Sequence, residues 1–87
     1  MKIKNGFVMR EIAGECVVIA LGEASKSFNG MIKLNESSRL LWTLLEKGCE
    51  REDLIVAIMN EYTVDRPTVE RDVDGLLDLL KGANILE

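Results

Sequence analysis

The pattern of hydrophobic and polar residues changes its period at Asn35. Before Asn35 the apolar residues are β-branched or alternate with polar ones, whereas from Leu40 onward they recur at helical spacing. The Asn35 carboxamide can accept a hydrogen bond from a free N–H of a first helical turn, and Glu36 adds favourable negative charge there. The sequence therefore predicts a strand that runs directly into a helix beginning at about Glu36.

The N-terminal part of the sequence predicts a β-hairpin. Residues 7–12 and 15–21 flank Ala13-Gly14, a pair that suits a two-residue hairpin turn. With that turn, one face of the hairpin carries Val8, Arg10, Val17 and Ile19, and the other carries Phe7, Met9, Glu11, Cys16 and Val18. Both faces are partly apolar, so the pattern leaves undecided which of them covers the helices.

A polar connector over residues 22–30 separates this hairpin from a third strand over residues 31–34. Phe28 is expected to anchor the connector to the core, and Asn29-Gly30 is a pair that readily takes positive φ. The glycine spacing matches neither GxxxxGK[ST] nor GxGxxG, so no nucleotide-binding loop is predicted.

Two helices follow the third strand. In the first, Leu40, Leu41, Leu44 and Leu45 form one apolar stripe, with Trp42 off its centre and Gly48 at its end. The second is predicted from Arg51 to Tyr62, with Glu50 as a weak N-cap. Its inward-facing residues are expected to be Leu54, Ile55, Ile58, Met59 and Tyr62.

A third helix is predicted from the N-cap Asp65 to about Gly82, with Pro67 in its first turn. Its apolar residues span an arc of about 160°; they are Val69, Val73, Leu76, Leu77, Leu79 and Leu80. This arc is wider than one packing seam needs, so the rim that holds Leu79 and Asp72 is a candidate open surface, although a three-helix core could also use the whole arc. Residues 85–86 are expected to close the end of the core.

The composition fits one small α+β domain over residues 1–87, because the sequence is 47% hydrophobic and 30% charged. The longest apolar run, residues 16–21, is far too short to span a bilayer, and no signal peptide is evident, so the protein is expected to be cytoplasmic. Cys16 and Cys49 match no metal or redox spacing and are expected to be free thiols.

Catalysis is not expected, because the sequence has no histidine, the commonest general base and a frequent metal ligand. Acidic pairs such as Glu52-Asp53, and Asp72 with Asp74, are interpreted as solvated helix faces. The sequence therefore predicts a protein that is not an enzyme and that binds no metal or cofactor.

A hairpin beside two helices joined by a short turn has the outline of a winged helix-turn-helix, a fold that often binds DNA. The net charge of −4 argues against a nucleic-acid partner, because it repels phosphates. The third helix also has a negative net charge, with four carboxylates against two cations between Pro67 and Gly82. A DNA-binding regulator and a protein–protein adaptor nevertheless stay as alternatives.

The sequence resembles the PqqD family over essentially its whole length. The resemblance rests on the order of short segments; they are residues 7–11, 21–24, 29–36, 41–45 and 71–73. Its strongest piece is Leu34-Asn35-Glu36 followed by Trp42. The departure at Cys49-Glu50, where a Ser or Thr cap would be more usual, affects only a helix end.

The resemblance implies a three-stranded antiparallel sheet followed by three α-helices in a winged-helix arrangement. It also implies a peptide chaperone without chemistry of its own, which holds the leader of a ribosomally made precursor peptide for a modifying enzyme, often a radical SAM protein. The leader is expected to add beside the third strand and to lie against the third helix. The implied peptide-binding residues are Gly30, Met31, Ile32, Lys33, Leu34, Asp72, Val73 and Leu76. The apolar arc of the third helix adds Val69 and Leu79 to the predicted site. The sequence leaves open whether the domain works alone or as a homodimer.

The third strand itself supports this mode of binding. Residues 31–34 include one lysine and no proline, so this edge is poorly defended and suited to β-augmentation. An ordinary edge that is protected only by its shortness is the alternative.

Overall fold

The fold is that of a computed structural model that describes residues 1–28 and 30–87; the expected positive φ at Asn29 lies outside the described residues. The elements are β1 (Phe7–Ile12), β2 (Glu15–Ala20), α1 (Ala24–Ser27), β3 (Ile32–Leu34), α2 (Glu36–Lys47), α3 (Arg51–Glu61) and α4 (Arg66–Gly82). The predicted architecture, an N-terminal antiparallel sheet followed by helices, is confirmed.

The sheet is antiparallel throughout, in the order β1-β2-β3. Phe7 pairs with Ala20 and Ile12 with Glu15, which makes Ala13-Gly14 the two-residue loop that the sequence predicts. Both loop residues have positive φ, 53° at Ala13 and 80° at Gly14, as a type I′ turn requires. β1 and β3 are therefore the two edges of the sheet.

The face of the hairpin that carries Phe7 and Val18 packs against the helices. Val18 is completely buried and Phe7 is 8% exposed within the core. The opposite face is also partly shielded from water, since Val17 is only 2% exposed there and Val8 and Ile19 are half-buried. The burial of Phe7 and Val18 settles the orientation that the sequence pattern left open.

The connector contains a one-turn helix, α1, which the sequence did not predict because four residues are too few to show a helical period. The Ser25 hydroxyl donates a hydrogen bond to the Gly22 carbonyl at 2.6 Å. Phe28 packs edge to face on Phe7, with ring centroids 5.7 Å apart, as expected of an anchor.

α2 begins and ends where the sequence predicts. The Asn35 carboxamide oxygen accepts a hydrogen bond from the Ser38 N–H at 2.9 Å, and Gly48 ends the helix with a φ of 93°. The expectation that Trp42 lies off the centre of the apolar stripe was wrong, because Trp42 is completely buried while Leu40 and Leu44 are only half-buried. α2 contacts both β3 and α3, so it buries a wider arc than a single packing seam.

α3 and α4 form the helix pair of the predicted winged-helix outline. The Glu50 N–H donates to the Asp53 carboxylate at 2.8 Å, which compensates for the weak cap at Glu50. Met59 is 38% exposed, so its predicted inward orientation was wrong. Asp65 precedes α4 as expected, and its carboxylate accepts a hydrogen bond from the Thr68 hydroxyl at 2.8 Å.

The N- and C-terminal segments meet beside the core. Ile3 forms an antiparallel bridge with Leu86, and the Lys4 N–H donates to the Ile85 carbonyl at 2.7 Å. Ile85 is completely buried, which confirms that residues 85–86 close the end of the core. Within the ranges 1–28 and 30–87, no helix has the length and apolar character needed to cross a membrane.

Candidate functional site

A groove lies between the edge strand β3, the start of α2 and one side of α4. Its larger cavity has a volume of about 370 Å³. The residues that line this cavity are Lys33, Asn35, Ser37, Ser38, Leu41, Ile58, Val69, Arg71, Asp72, Val73, Gly75, Leu76 and Leu79.

A second cavity of about 270 Å³ adjoins the first and shares Asn35, Ser37, Ile58, Val69 and Asp72 with it. It adds Glu36 from α2, Tyr62 from the end of α3, and Val64 from the loop before α4. Because the two cavities share these walls, they form one continuous depression, which we call the β3–α4 groove.

The groove exists because α4 has more apolar surface than the core covers. Val69, Val73 and Leu80 are buried, at 1%, 0% and 0% exposure, whereas Leu79 is 50% exposed. Asp72 is exposed on the same side of the helix, at about 20° from Leu79 on a 100°-per-residue projection. The predicted open rim of α4 is therefore uncovered.

The opposite side of α4 is held to α3 by a network of ion pairs. Arg51 donates to both carboxylate oxygens of Asp74, and Arg66 donates to both oxygens of Glu52, at 2.9 and 2.7 Å. Glu70 lies between the two arginines, 3.5 Å from Arg51 and 3.7 Å from Arg66. These contacts fix which side of α4 faces α3, and hence which side faces the groove.

The structure brings six of the ten sequence-predicted site residues together in the larger cavity; they are Lys33, Val69, Asp72, Val73, Leu76 and Leu79. The side chains of Ile32 and Leu34 pack against the core instead, so at these residues only the backbone of β3 is available to the groove. Met31 is 58% exposed and lies just before β3, and Gly30 is exposed as well. Neither Gly30 nor Met31 lines a cavity of the groove.

Several groove residues escaped the sequence-based prediction. Ile58 and Tyr62 were expected only as core residues of α3, but each also turns part of its surface to the groove. Val64 could have been predicted as a groove residue from the sequence, since it is an apolar residue in an otherwise polar turn. Arg71 could not have been predicted from the sequence, because an exposed arginine on a helix is common and does not indicate a binding site.

The smaller cavity combines an apolar floor with a few polar groups. The Tyr62 phenol is partly desolvated and lies near the Glu36 carboxylate; both effects raise its pKa. A phenol is protonated at neutral pH even without these effects, so Tyr62 is a hydrogen-bond donor. This end of the groove combines that donor with the acceptors Glu36 and Asp72 and with the apolar surface of Val64 and Val69.

Comparisons with known proteins give one family match and two structural matches. A family model described as coenzyme PQQ synthesis protein D (PqqD) matches residues 15–86. A structure of TbiB1 in complex with the TbiA(beta) leader peptide is 39% identical, with a TM-score of 0.76, and the match covers 100% of this protein and 95% of that one.

A structure of lasso peptide synthetase B1 complexed with the leader peptide is 21% identical, with a TM-score of 0.74, over 97% of this protein and 93% of that one. At that identity the second likeness concerns the fold alone. No curated protein sequence matched this one.

Proposed function

Because the protein belongs to the PqqD family, we propose that it is a non-catalytic peptide-binding chaperone that captures the leader of a ribosomally synthesised precursor peptide. The leader adds as a strand to β3 and lies in the β3–α4 groove. The observation that carries the proposal is the position of an unpaired sheet edge directly beside an uncovered apolar helix rim.

The two edges of the sheet are not equivalent for this purpose. The backbone of β1 is as free as that of β3 within the described sheet, but β1 borders neither cavity of the groove. A peptide on β1 gains backbone hydrogen bonds but does not reach this groove, whereas a peptide on β3 can also bury side chains against Ile58, Val69 and Leu79. Strand addition at β3 therefore offers both affinity and selectivity.

Tight binding of a leader requires both backbone hydrogen bonds to β3 and apolar side chains buried in the groove. Three or four strand hydrogen bonds at about 0.5–1.5 kcal/mol each barely offset the several kcal/mol lost on association. Two apolar leader side chains buried in the groove add roughly 1.5–3 kcal/mol apiece. The side-chain anchors therefore decide which peptides bind.

Presentation of the bound leader to a modifying enzyme completes the proposal. The groove offers carboxylates, amides and hydroxyls around an apolar floor, an arrangement that holds a peptide but contains no evident base–nucleophile pair among its lining residues. The chemistry is therefore assigned to a partner, such as a radical SAM protein, to which this domain brings the substrate. The proposal applies equally to a monomer and to a homodimer.

The DNA-binding alternative has little support from the charges. A winged helix that reads DNA places a helix in the major groove and neutralises phosphates around it. α4 instead exposes Asp72 and Asp78, and its Glu70 and Asp74 are engaged with arginines of the α3–α4 pair. This distribution of charges on α4 does not favour the binding of a polyanion such as DNA.

Isothermal titration calorimetry tests the proposal directly. The purified protein is titrated with two synthetic peptides, the TbiA(beta) leader and the leader of the short precursor peptide encoded beside the gene for this protein. We expect saturable one-to-one binding of at least one of them with micromolar or better affinity. A scrambled peptide of the same composition is the control, and equal binding of the scrambled and native leaders, or no binding of either leader, refutes the proposal.

A further inference from the structure

The charges of the β3–α4 groove are distributed unevenly between its two cavities. Lys33 and Arg71 line the larger cavity of the groove and not the smaller one, whereas Glu36 lines the smaller and not the larger. Asp72 lies on the wall that both share. The net charge of the protein is −4, and leader binding in general does not explain why two cations line the larger cavity of the groove.

Both cations are available to a ligand. Arg71 is exposed and pairs with no carboxylate among the residues that the structure describes, in contrast to Arg51 and Arg66 in the same helix pair. Lys33 lies 3.2 Å from Glu15, but the two side chains are 71% and 57% exposed. Exposed pairs of this kind are weak and are easily exchanged for a better-placed partner.

The order of the cavities along β3 gives the bound peptide a direction. From Lys33 to Glu36 the backbone passes from the larger cavity to the smaller one. A strand that continues the all-antiparallel sheet runs opposite to β3. Its N-terminal part then lies at the apolar cavity near Tyr62 and Val64, and its C-terminal part reaches Lys33 and Arg71.

We propose that the β3–α4 groove selects leaders in which an acidic residue follows the apolar anchor in sequence and is received between Lys33 and Arg71. Lys33 lines the larger cavity and the smaller cavity lies toward Glu36, at the start of α2, so the acid is expected a few residues after the anchor in the leader. This inference rests on the proposed function. It adds that the leader must carry an acidic residue and that this residue must follow the apolar anchor in sequence.

The test uses the same two leader peptides, labelled with fluorescein and followed by fluorescence anisotropy. Each Asp and Glu in the peptide that binds is replaced singly by Asn or Gln, and Lys33→Gln and Arg71→Gln proteins are prepared alongside. Lys81→Gln is the matched control, because Lys81 lies on the opposite side of α4, is exposed, and lines neither cavity.

We expect Lys33→Gln and Arg71→Gln each to weaken binding by about three- to tenfold, and to reduce the dependence of affinity on salt. One acidic-to-amide replacement in the peptide should cause a similar loss, and this peptide should no longer distinguish Arg71→Gln from the wild-type protein. Lys81→Gln should bind as the wild-type protein does.

The outcomes separate the two proposals. Failure of the wild-type protein to bind either leader overturns the proposed function. Leader binding that is equally strong in Lys33→Gln and Arg71→Gln proteins, or that depends on no acidic residue of the peptide, leaves the proposed function standing and overturns this inference alone. An essential acid that precedes the apolar anchor in the leader sequence overturns the proposed direction.

Discussion

Arg51 and Asp74 form a two-point ion pair between α3 and α4, in which the Arg51 Nε donates to one carboxylate oxygen at 2.7 Å and Nη2 to the other at 3.0 Å. The hydrogen bond from Arg51 is the main cause of a lowered pKa at Asp74. Arg66 lowers the pKa of Glu52 in the same way. This network lies on the side of α4 opposite the β3–α4 groove, so it stabilises the helix pair without occupying the candidate site.

The network predicts a pH-dependent contribution to stability. A carboxyl whose pKa is lower in the folded state stabilises the fold above its unfolded pKa of about 4, and this contribution is lost as the pH falls through the lower, folded value. Arg51→Met should therefore reduce the free energy of unfolding at pH 7, with a smaller reduction near pH 3. Urea unfolding followed by Trp42 fluorescence measures the difference. Arg39→Met, at an exposed arginine without an ion pair among the described residues, is the control, and an equal effect of Arg51→Met at both pH values contradicts the prediction.

Substitutions on the open rim of α4 should reduce leader binding with little change in folding. Asp72→Arg removes an acceptor from the wall shared by both cavities, and Leu79→Glu places a charge where an apolar anchor is expected to pack. Loss of one buried apolar anchor corresponds to about tenfold or more in affinity. Calorimetric titration of each variant with the leader measures the loss.

The structure also identifies suitable controls for these rim variants. Asp78→Arg repeats the Asp72 charge change at a position that lines neither cavity, and Val56→Glu repeats the Leu79 change at a residue that is 45% exposed on α3. Glu70→Arg is unsuitable as a control although Glu70 lines neither cavity, because the change would disrupt contacts with Arg51 and Arg66. Full-strength binding by folded Asp72→Arg and Leu79→Glu proteins would exclude this site.

Leader addition at β3 should be visible at the backbone of that strand. On titration with the leader, the amide resonances of Ile32, Lys33 and Leu34 are expected to shift. Those of the three N–H groups that point away from β2 are expected to gain protection from hydrogen exchange, because the free edge acquires a hydrogen-bonded neighbour. The amides of β1 provide the internal control, since β1 is also an edge strand but does not border the groove. Shifts confined to β1 would place the peptide on the wrong edge for this proposal.

Duplex DNA should bind weakly or not at all. Electrophoretic mobility shifts at low ionic strength give phosphate attraction its best chance, and the net charge of −4 together with an acidic α4 should still prevent a complex. A known winged-helix DNA-binding protein with its operator serves as the positive control. Submicromolar binding to any duplex would restore the regulator hypothesis.

Much of the fold follows from local features of the sequence. The Asn35 cap, the Ala13-Gly14 turn and Gly48 set element boundaries through hydrogen bonds and backbone angles within a few residues, so a local pattern is sufficient to predict them. The breadth of the apolar arc on α4 likewise indicated that one rim was a candidate open surface, and Leu79 is exposed there.

Other features depend on contacts between residues that are distant in the sequence. Trp42 is buried because β3 and α3 both contact α2, and the orientation of the hairpin depends on which of two apolar faces meets the helices. The bridge between Ile3 and Leu86 joins the N- and C-terminal segments, which no local period can reveal.

The candidate site shows the same division between local and tertiary information. The sequence by itself determined a poorly defended strand and a helix with excess apolar surface, because each is a property of one segment. Only the tertiary structure decided that these two surfaces border one groove, and that Tyr62, Val64 and Arg71 line it as well. The physical reason is that a groove is formed by the relative positions of separate elements, and packing around a shared core sets those positions.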